Sequence, residues 1–248
     1  MRKFFQSEWL NISFSSFHTI TSTRLVGSEF YNQFYIALFK RYAEYNQLDS
    51  LWRRQKDEIM DWLAASLPDG VRVLSIGCGL GYMESRLWLQ HARIELHVQD
   101  YATNALKWLR QVLPADRIHD AREMCSGSDI GKFDLIYLCA VDYSLSNEQL
   151  VSLLEKSLQA LCDGGQLMMI SASFLEVSKR RQIIHNVKYI FIWLLVKIGI
   201  RQRGQFWGWM RSRKDYQAIM LKAGLNNVTD GFIETPHQRT YWIKGMGQ

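Results

Sequence analysis

Three glycines occupy alternate positions, 77, 79 and 81, immediately after the apolar run VRVLSI. A glycine within a regular element lowers stability by about 0.5–1 kcal/mol relative to alanine, so this density predicts a tight turn that another group approaches closely. A dinucleotide-binding loop spaces its glycines as G-x-G-x-x-G, and a triphosphate-binding loop ends in G-K-[ST]; the stretch IGCGLGYME has neither pattern. Taken alone, the glycines are also compatible with an ordinary strand-to-helix turn.

Around this turn, short apolar runs alternate with segments of helical periodicity. The alternation predicts an α/β fold with a Rossmann-like, mostly parallel sheet and helices on both faces. Two late runs, NVTDGFIET and RTYWIKG, are joined by a short loop with Pro236 and predict an antiparallel terminal hairpin, for seven strands in all. The other predicted elements are VRVLSIG, 82–90, IELHVQD, TNALKWLRQVL, RIHDA, FDLIYLCAV, NEQLVSLLEKSLQALCDGG, QLMMISAS and SRKDYQAIMLKAGL.

Two segments fall outside this alternation. Residues 1–66 carry many aromatic side chains at three- and four-residue spacing, which predicts a helical amino-terminal cap. Residues 67–248 form the predicted sheet domain, with an inserted cap over 174–210. Four cysteines without C-x-x-C spacing and six scattered histidines predict reduced thiols, a cytoplasmic protein and no metal site. The first residues contain no continuous apolar run, so no secretory signal is expected.

The stretch VLSIGCGLGYMES resembles the first motif of class I S-adenosylmethionine (SAM) dependent methyltransferases, and the similarity extends over residues 70–173 and 211–244. The resemblance implies SAM as cofactor, with the glycine turn against its amino-acid part. It also implies that Asp100 accepts both ribose hydroxyls, that Tyr101 lies against the adenine and that Asp120 contacts the adenine amino group. The implied cofactor-binding residues are Ser75, Gly77, Cys78, Gly79, Gly81, Asp100, Tyr101, Asp120, Ala121 and Cys139.

One position departs from the family pattern. Members commonly carry an acid where this chain has Ser75. A hydroxyl there can still form a hydrogen bond near the ammonium group of SAM, but without charge. Glu84 is expected on the helix after the glycine turn, with at most a partial contribution to this contact.

Methyl transfer requires an acceptor held in line, and an alcohol or phenol acceptor also needs a base. In the resembling family, the residues after the fourth strand face the transferred methyl group, and here these are Asp142 and Tyr143. Asp142 is also compatible with a cap of the helix that begins near Asn147. His18, in a segment that such enzymes often fold over the cofactor, is a further catalytic candidate. The other histidines weighed for this role are His185 and His237.

The positive charge is concentrated in one segment. The chain carries a net charge of +6, but residues 174–214 alone carry +9, which leaves −3 for the remainder. Residues 183–200 approach membrane-spanning length, yet Lys188 and Lys197 lie inside, and each would cost about 2.5–3.5 kcal/mol at the bilayer centre. No transmembrane span is therefore predicted.

Two interpretations of this segment remain. It either caps the active site, with its apolar face buried, or forms an interfacial helix that contacts an anionic membrane or a lipid-linked acceptor through 179–214. Trp207 and Trp209, which stand among arginines, suit an interface or a sugar platform. Nucleic acid is disfavoured as a partner, because no RNA-binding module is present and the rest of the chain is acidic.

The sequence therefore predicts a cytoplasmic SAM-dependent methyltransferase, with peripheral membrane contact left open. Its acceptor is expected to be the O or N atom of a small molecule, such as a sugar, a lipid-linked compound or another biosynthetic intermediate. Two alternatives stay open: a SAM-fold protein that binds a cofactor or partner without turnover, and a methyltransferase that acts on RNA or protein.

Overall fold

The computed structural model describes residues 1–91, 93–120, 131–175 and 204–247. The strands and helices of these residues are β1 (Arg2–Gln6), β2 (Glu8–Trp9), β3 (Ile12–Ser13), α1 (Ser28–Arg41), α2 (Ser50–Ala65), β4 (Arg72–Ile76), α3 (Tyr82–Gln90), β5 (Glu95–Asp100), β6 (Ile118–Asp120), β7 (Phe133–Cys139), α4 (Asn147–Leu158), β8 (Leu161–Ser171), β9 (Gln205–Met210), α5 (Arg213–Lys222), β10 (Asn226–Glu234) and β11 (Arg239–Met246).

Seven of these strands form the main sheet, in the order β10-β11-β8-β7-β4-β5-β6. The five strands from β8 to β6 run parallel, β11 pairs antiparallel with β8, and β10 pairs antiparallel with β11. The predicted fold class, a Rossmann-like seven-stranded sheet with an antiparallel terminal hairpin, is confirmed.

The strand order reverses at β4, which has β5 on one side and β7 on the other. The connections that leave β4 and β7 therefore depart in opposite directions, and a crevice opens beyond the carboxyl ends of these strands. Ligands of open α/β sheets bind at this switch point. The glycine turn, which links β4 to α3, lies at this position.

Successive side chains of β4 point to opposite faces of the sheet and contribute to the apolar core on each. Val73 packs with residues of α2 and α3 such as Leu63 and Leu87, while Leu74 packs with residues of α4 and α5 such as Leu154 and Met220. All six side chains are at most 1% exposed. Because each face buries a continuous apolar layer, the sheet fixes the ends of its central strands rigidly.

The amino-terminal segment adds a third, largely aromatic cluster above the carboxyl ends of the strands. Phe14 stacks on Trp207 with ring centroids 4.8 Å apart, and Phe30 contacts Phe14 edge-on at 5.0 Å. Residues 1–66 are helical in α1 and α2, as predicted, but the first 13 residues form strands. β1 pairs antiparallel with β9, so the amino terminus and the end of the inserted segment share one two-stranded ribbon. The domain boundary at residue 66 remains a prediction.

The helix predicted over TNALKWLRQVL is replaced by short 3-10 turns, Thr103–Lys107 and Leu109–Gln111. The reason is that this segment buries side chains in two directions. Leu106 and Leu109 join the core cluster under the sheet, whereas Ala105 and Trp108 join the aromatic cluster. A regular amphipathic helix buries one face only.

The inserted segment is described only at its two ends. Residues 176–203, which include 183–200 and most of the predicted membrane-contact region 179–214, lie outside the described residues. Trp207 is 3% exposed, so it does not form part of an exposed membrane interface. Among the described helices, none is both long enough and apolar enough to cross a bilayer.

Arg211, just after β9, is completely buried. Its guanidinium donates to the backbone oxygens of Asp142 and Leu145, both at 2.5 Å, and to the side-chain oxygen of Asn147 at 2.9 Å. It therefore ties the end of the ribbon to the loop between β7 and α4, and it is not part of a basic surface.

Replacement of Arg211 by methionine is expected to lower the free energy of unfolding by about 3 kcal/mol or more, because one buried and two partly buried acceptors lose their donor. Urea denaturation measures the change. Lys214→Met is the matched control, since Lys214 is an exposed cation three residues later, and an exposed charge contributes about 0–1 kcal/mol. Equal losses in the two variants would contradict the structural role of Arg211.

Candidate functional site

A cleft, the glycine cleft, opens at the carboxyl ends of β4 and β5 and is closed above by α1 and α2. Seven of the ten predicted cofactor-binding residues line it: Ser75, Gly77, Cys78, Gly79, Asp100, Tyr101 and Cys139. Gly81 is not among its lining residues. Asp120 ends β6, but its side chain is not described, and Ala121 lies outside the described residues.

The turn after β4 needs glycine for its backbone. Gly77, Gly79 and Gly81 all have a left-handed φ, between 58° and 69°. A Cβ on Gly77 would lie 2.5 Å from a methyl of Val141, and one on Gly81 would lie 2.6 Å from Leu109. These two glycines are therefore required by the packing of the protein itself, in addition to any ligand.

Asp100 connects this turn to the end of β5. Its carboxylate is 5% exposed and accepts from the backbone N–H of Gly79 at 2.8 Å and from that of Ala102 at 2.7 Å. A carboxylate has about four acceptor positions, so roughly two remain free. Burial raises the pKa of Asp100 to about 6, so the group is ionised at neutral pH. A buried carboxylate with spare acceptor positions fits the two hydroxyls of a ribose.

The aromatic roof of the cleft contributes hydroxyl groups. The Tyr31 hydroxyl is buried and has no hydrogen-bond partner among the described residues. The Tyr35 hydroxyl lies 3.0 Å from the position of a Cβ on Gly79. Tyr101 is 43% exposed at the rim, and its ring contacts Tyr31 edge-on. The Tyr31 hydroxyl lies close to that of Tyr143, and both residues line the cleft, where a polar ligand group could bind to their hydroxyls.

A second carboxylate, that of Glu84, lies at the floor of the cleft. Ser75 donates to Oε1 of Glu84 at 2.6 Å, and Tyr137 donates to the same oxygen at 2.7 Å. Glu84 is in the first turn of α3 and is 3% exposed. Burial raises its pKa above the ordinary value. An acid from the following helix thus lies within hydrogen-bond distance of the side chain at position 75.

A second cavity, of about 560 Å³, continues from the glycine cleft towards β8 and the terminal hairpin. Its lining is strongly aromatic, with side chains from β1, α2, β9, β10 and β11. The residues that line both spaces are Trp9, Trp52, Lys56, Cys139, Ala140 and Tyr143. A group passed from one space to the other would cross at these six residues.

Asp142 does not face either space. Its carboxylate accepts from Ser171 at 2.8 Å, from Ser173 at 3.2 Å and from Tyr216, and the side chain is 1% exposed. Arg211 holds its backbone oxygen from the other side. This geometry argues against the predicted role of Asp142 as a catalytic base. Oδ2 takes part in all three of these hydrogen bonds, and Oδ1 is buried without a hydrogen-bond partner among the described residues. Because Asp142 lines neither space, neither oxygen is placed to meet an acceptor.

His18 also lines neither space; its ring packs edge-on against Phe30 at 4.9 Å. His237 bonds to Glu58 at the surface, and His185 lies outside the described residues. Tyr143 lines both spaces, but burial raises the pKa of its hydroxyl, so it is a hydrogen-bond donor at neutral pH and not a base. Of the three predicted catalytic residues, the structure places Tyr143 alone at the junction.

Sequence reasoning did not single out Lys56, which lies at the same junction. Its ammonium is 3.7 Å from the sulfur of Cys139 and 6.0 Å from the ring centroid of Trp52. Burial raises the pKa of the Cys139 thiol, which therefore stays protonated. The helical pattern of α2 alone gave no signal for Lys56, because lysine is common on exposed helix faces.

The residues of the glycine cleft predict the effect of Asp100→Asn on binding of S-adenosylhomocysteine (SAH), the product form of SAM. The affinity is expected to fall about 10- to 100-fold at pH 7.5, because hydrogen bonds to a charged acceptor contribute about 1.5–3 kcal/mol. Calorimetric titration measures the change. The exposed acid Asp163, far from the cleft, provides the control variant Asp163→Asn. An unchanged affinity in Asp100→Asn would exclude the ribose contact.

The raised pKa of Asp100 also predicts a pH dependence. SAH affinity should fall as the pH is lowered from 7.5 to 5, since the carboxyl takes up a proton near pH 6, and Asp100→Asn should lose much of this dependence. Without ligand, the stability of the fold should instead decrease as the pH rises. A carboxyl whose folded-state pKa is raised stabilises the fold fully below about pH 4, and this contribution is lost as the pH rises through about 6. Thermal unfolding of the ligand-free protein over this range checks the second effect.

Solved structures with the same fold include several methyltransferases. Magnesium protoporphyrin IX methyltransferase of Synechocystis PCC 6803, with bound SAH, superposes with a TM-score of 0.60 at 14% identity over 89% of this chain and 98% of that chain. Human N-acetylserotonin methyltransferase, in complex with SAM, gives 0.58 at 16% identity over 89% of this chain and 56% of that chain. The SAM-dependent methyltransferase SibL gives 0.56 at 16% identity, over 96% and 65%. At these identities the similarity establishes the fold.

A comparison with curated protein sequences found no match. A sequence model of the family described as "methyltransferase small domain" matches residues 53–191, which is more than half of the chain and includes the glycine turn, Glu84, Asp100 and Lys56. The expected cofactor, SAM, is confirmed by this family and by the SAM and SAH complexes of the same fold. The chain belongs to the methyltransferase small domain family of SAM-dependent methyltransferases.

Proposed function

We propose that this chain transfers the methyl group of SAM to an O or N atom of a small, flat, largely apolar acceptor that carries an anionic group. The observation that carries the proposal is the second cavity, which meets the glycine cleft at Lys56 and Tyr143. SAM supplies an electrophilic methyl group, which an acceptor lone pair takes as the carbon–sulfur bond breaks and its electrons remain on sulfur.

The lining of the second cavity supports a flat acceptor. Eight of its lining side chains are aromatic: Phe4, Trp9, Trp52, Tyr143, Phe174, Trp207, Phe232 and Tyr241. Aromatic side chains bind ring systems by stacked or edge-on contacts. Two of the structurally similar proteins are named for ring compounds, magnesium protoporphyrin IX and N-acetylserotonin.

The charges of the cavity support an anionic group on the acceptor. Lys56 and Arg239 line it, and no described aspartate, glutamate or histidine does. An acceptor that needs deprotonation therefore has no carboxylate or imidazole base among these lining residues. A carboxylate or phenolate oxygen is nucleophilic without a base, and the Lys56 ammonium can hold it while the Tyr143 hydroxyl donates a hydrogen bond.

The acceptor class is tested by incubation of the protein with methyl-labelled SAM and separate small-molecule, RNA and protein fractions of a cell extract. Label is expected in an aromatic, acidic small molecule. Label in RNA or protein would replace the proposed acceptor class. Binding of SAM with no label in any fraction would favour the alternative of a binding protein without turnover.

Lys56→Met is expected to lower kcat/KM for the acceptor about 10- to 100-fold, mainly through KM, because a charge-assisted hydrogen bond to the acceptor is lost. SAH affinity should stay within about threefold, since Asp100 and the glycine turn are untouched. Steady-state kinetics and calorimetry measure the two quantities. Arg54→Met is the control: Arg54 is an exposed cation of the same helix and lines neither space. Equal kinetics in both variants would contradict the role of Lys56.

A further inference from the structure

Ser75 lies near the carboxyl end of β4, where the resembling family commonly has an acid, and a buried carboxyl group lies directly beside it. Ser75 is 1% exposed and directs its hydroxyl to Glu84, nine residues later in the chain. Glu84 can reach Ser75 because α3 begins directly after the glycine turn. The first turn of α3 therefore lies beneath the end of β4.

The Glu84 carboxylate is held in a fixed orientation by its neighbours. Both hydroxyl donors, from Ser75 and Tyr137, reach Oε1. They come from adjacent parallel strands, where Ser75 and Tyr137 are register partners, so the rigid sheet sets their positions. The amino-terminal end of α3 adds a favourable field for a negative charge.

The charge of Glu84 is not neutralised by the protein. Within the described part of the chain, no lysine, arginine or histidine forms an ion pair with it, and Lys56 acts on it only at longer range. An isolated buried carboxylate is costly unless it is paired. Glu84 also lines the glycine cleft, so a cationic ligand group in the cleft can supply the missing partner.

We propose that Glu84 is the residue that binds the ammonium group of the methionine part of SAM, in place of the strand acid that Ser75 has replaced. Ser75 and Tyr137 are positioning residues, which orient the carboxylate through its Oε1 atom. The contact makes the site selective for ligands that retain the amino acid. The proposal rests on the cofactor and not on the acceptor, so the two can fail independently.

The test compares two ligands that share the adenosine part. SAH carries the amino acid, whereas 5′-methylthioadenosine lacks it. For Glu84→Gln, calorimetry should show at least a tenfold loss of SAH affinity and a change of less than twofold for methylthioadenosine. An equal loss for both ligands, or none for SAH, would overturn the proposal, since a merely structural residue does not distinguish them.

The matched control is Glu148→Gln. Glu148 is likewise an acid in the first turn of a helix, α4, but it is exposed and lies away from the cleft. Its replacement should change neither affinity. The melting temperature of ligand-free Glu84→Gln should equal or exceed that of the wild type, because an unpaired buried charge is removed while an acceptor for Ser75 and Tyr137 is kept.

A second pair of variants keeps the test decisive if Glu84→Gln folds poorly. Ser75→Ala removes one positioning donor and should lower SAH affinity several-fold without an effect on methylthioadenosine. The double variant Ser75→Asp, Glu84→Gln returns the acid to the strand and should recover most of the SAH affinity. A double variant that binds SAH as weakly as Glu84→Gln, or a Ser75→Ala variant with unchanged SAH affinity, would count against the exchange of roles.

Discussion

The glycine cleft depends on the carboxylate of Asp100. One of its oxygens holds the turn after β4 through Gly79, and the other holds the chain after β5 through Ala102. Two loops that follow neighbouring strands are therefore fixed by one buried group. The sheet beneath is rigid because both of its faces are packed, and so the position of this carboxylate follows from the position of the strand end.

Above this floor, the site is closed by parts of the chain that are far apart in sequence. The aromatic cluster joins α1 to Trp207, and β1 pairs with β9 across about 200 residues. Of these elements, β1 and β9 also line the second cavity, whereas α1 lines the glycine cleft. A change in the β1–β9 ribbon is therefore expected to affect both fold stability and the shape of the space proposed for the acceptor.

Local patterns sufficed for the sheet, the glycine turn and Asp100, because strand ends, turns and their spacing are encoded over a few residues. The same patterns misplaced Asp142, which lies after β7 as expected but is enclosed by Tyr216 and Arg211 from about 70 residues later. They also suggested an interface or a sugar platform for Trp207, because a tryptophan beside arginines has the same local pattern whether Phe14 or water covers it. Contacts between residues that are far apart in the chain cannot be predicted from a short stretch of sequence.

The sequence shows both Ser75 and Glu84, but it does not show that the two side chains meet. The absence of an acid at Ser75 was apparent, and so was an acid three residues after Gly81 on the next helix. Whether the two positions meet depends on the angle at which α3 leaves the turn, and that angle is set by the left-handed glycines and by the packing of Leu109 against Gly81. An acid missing from a strand end is thus a reason to inspect the first turn of the following helix.

The two buried carboxylates of the glycine cleft also bear on how the product leaves. Burial raises the pKa of Asp100, and the nearby Glu84 raises it further, which shows that the two carboxyl groups repel each other when both are ionised. SAM carries one positive charge more than SAH, and this charge disappears when the methyl group is transferred. An ionised carboxylate in the cleft therefore attracts SAM more strongly than SAH, and this difference would favour exchange of the product for a new SAM.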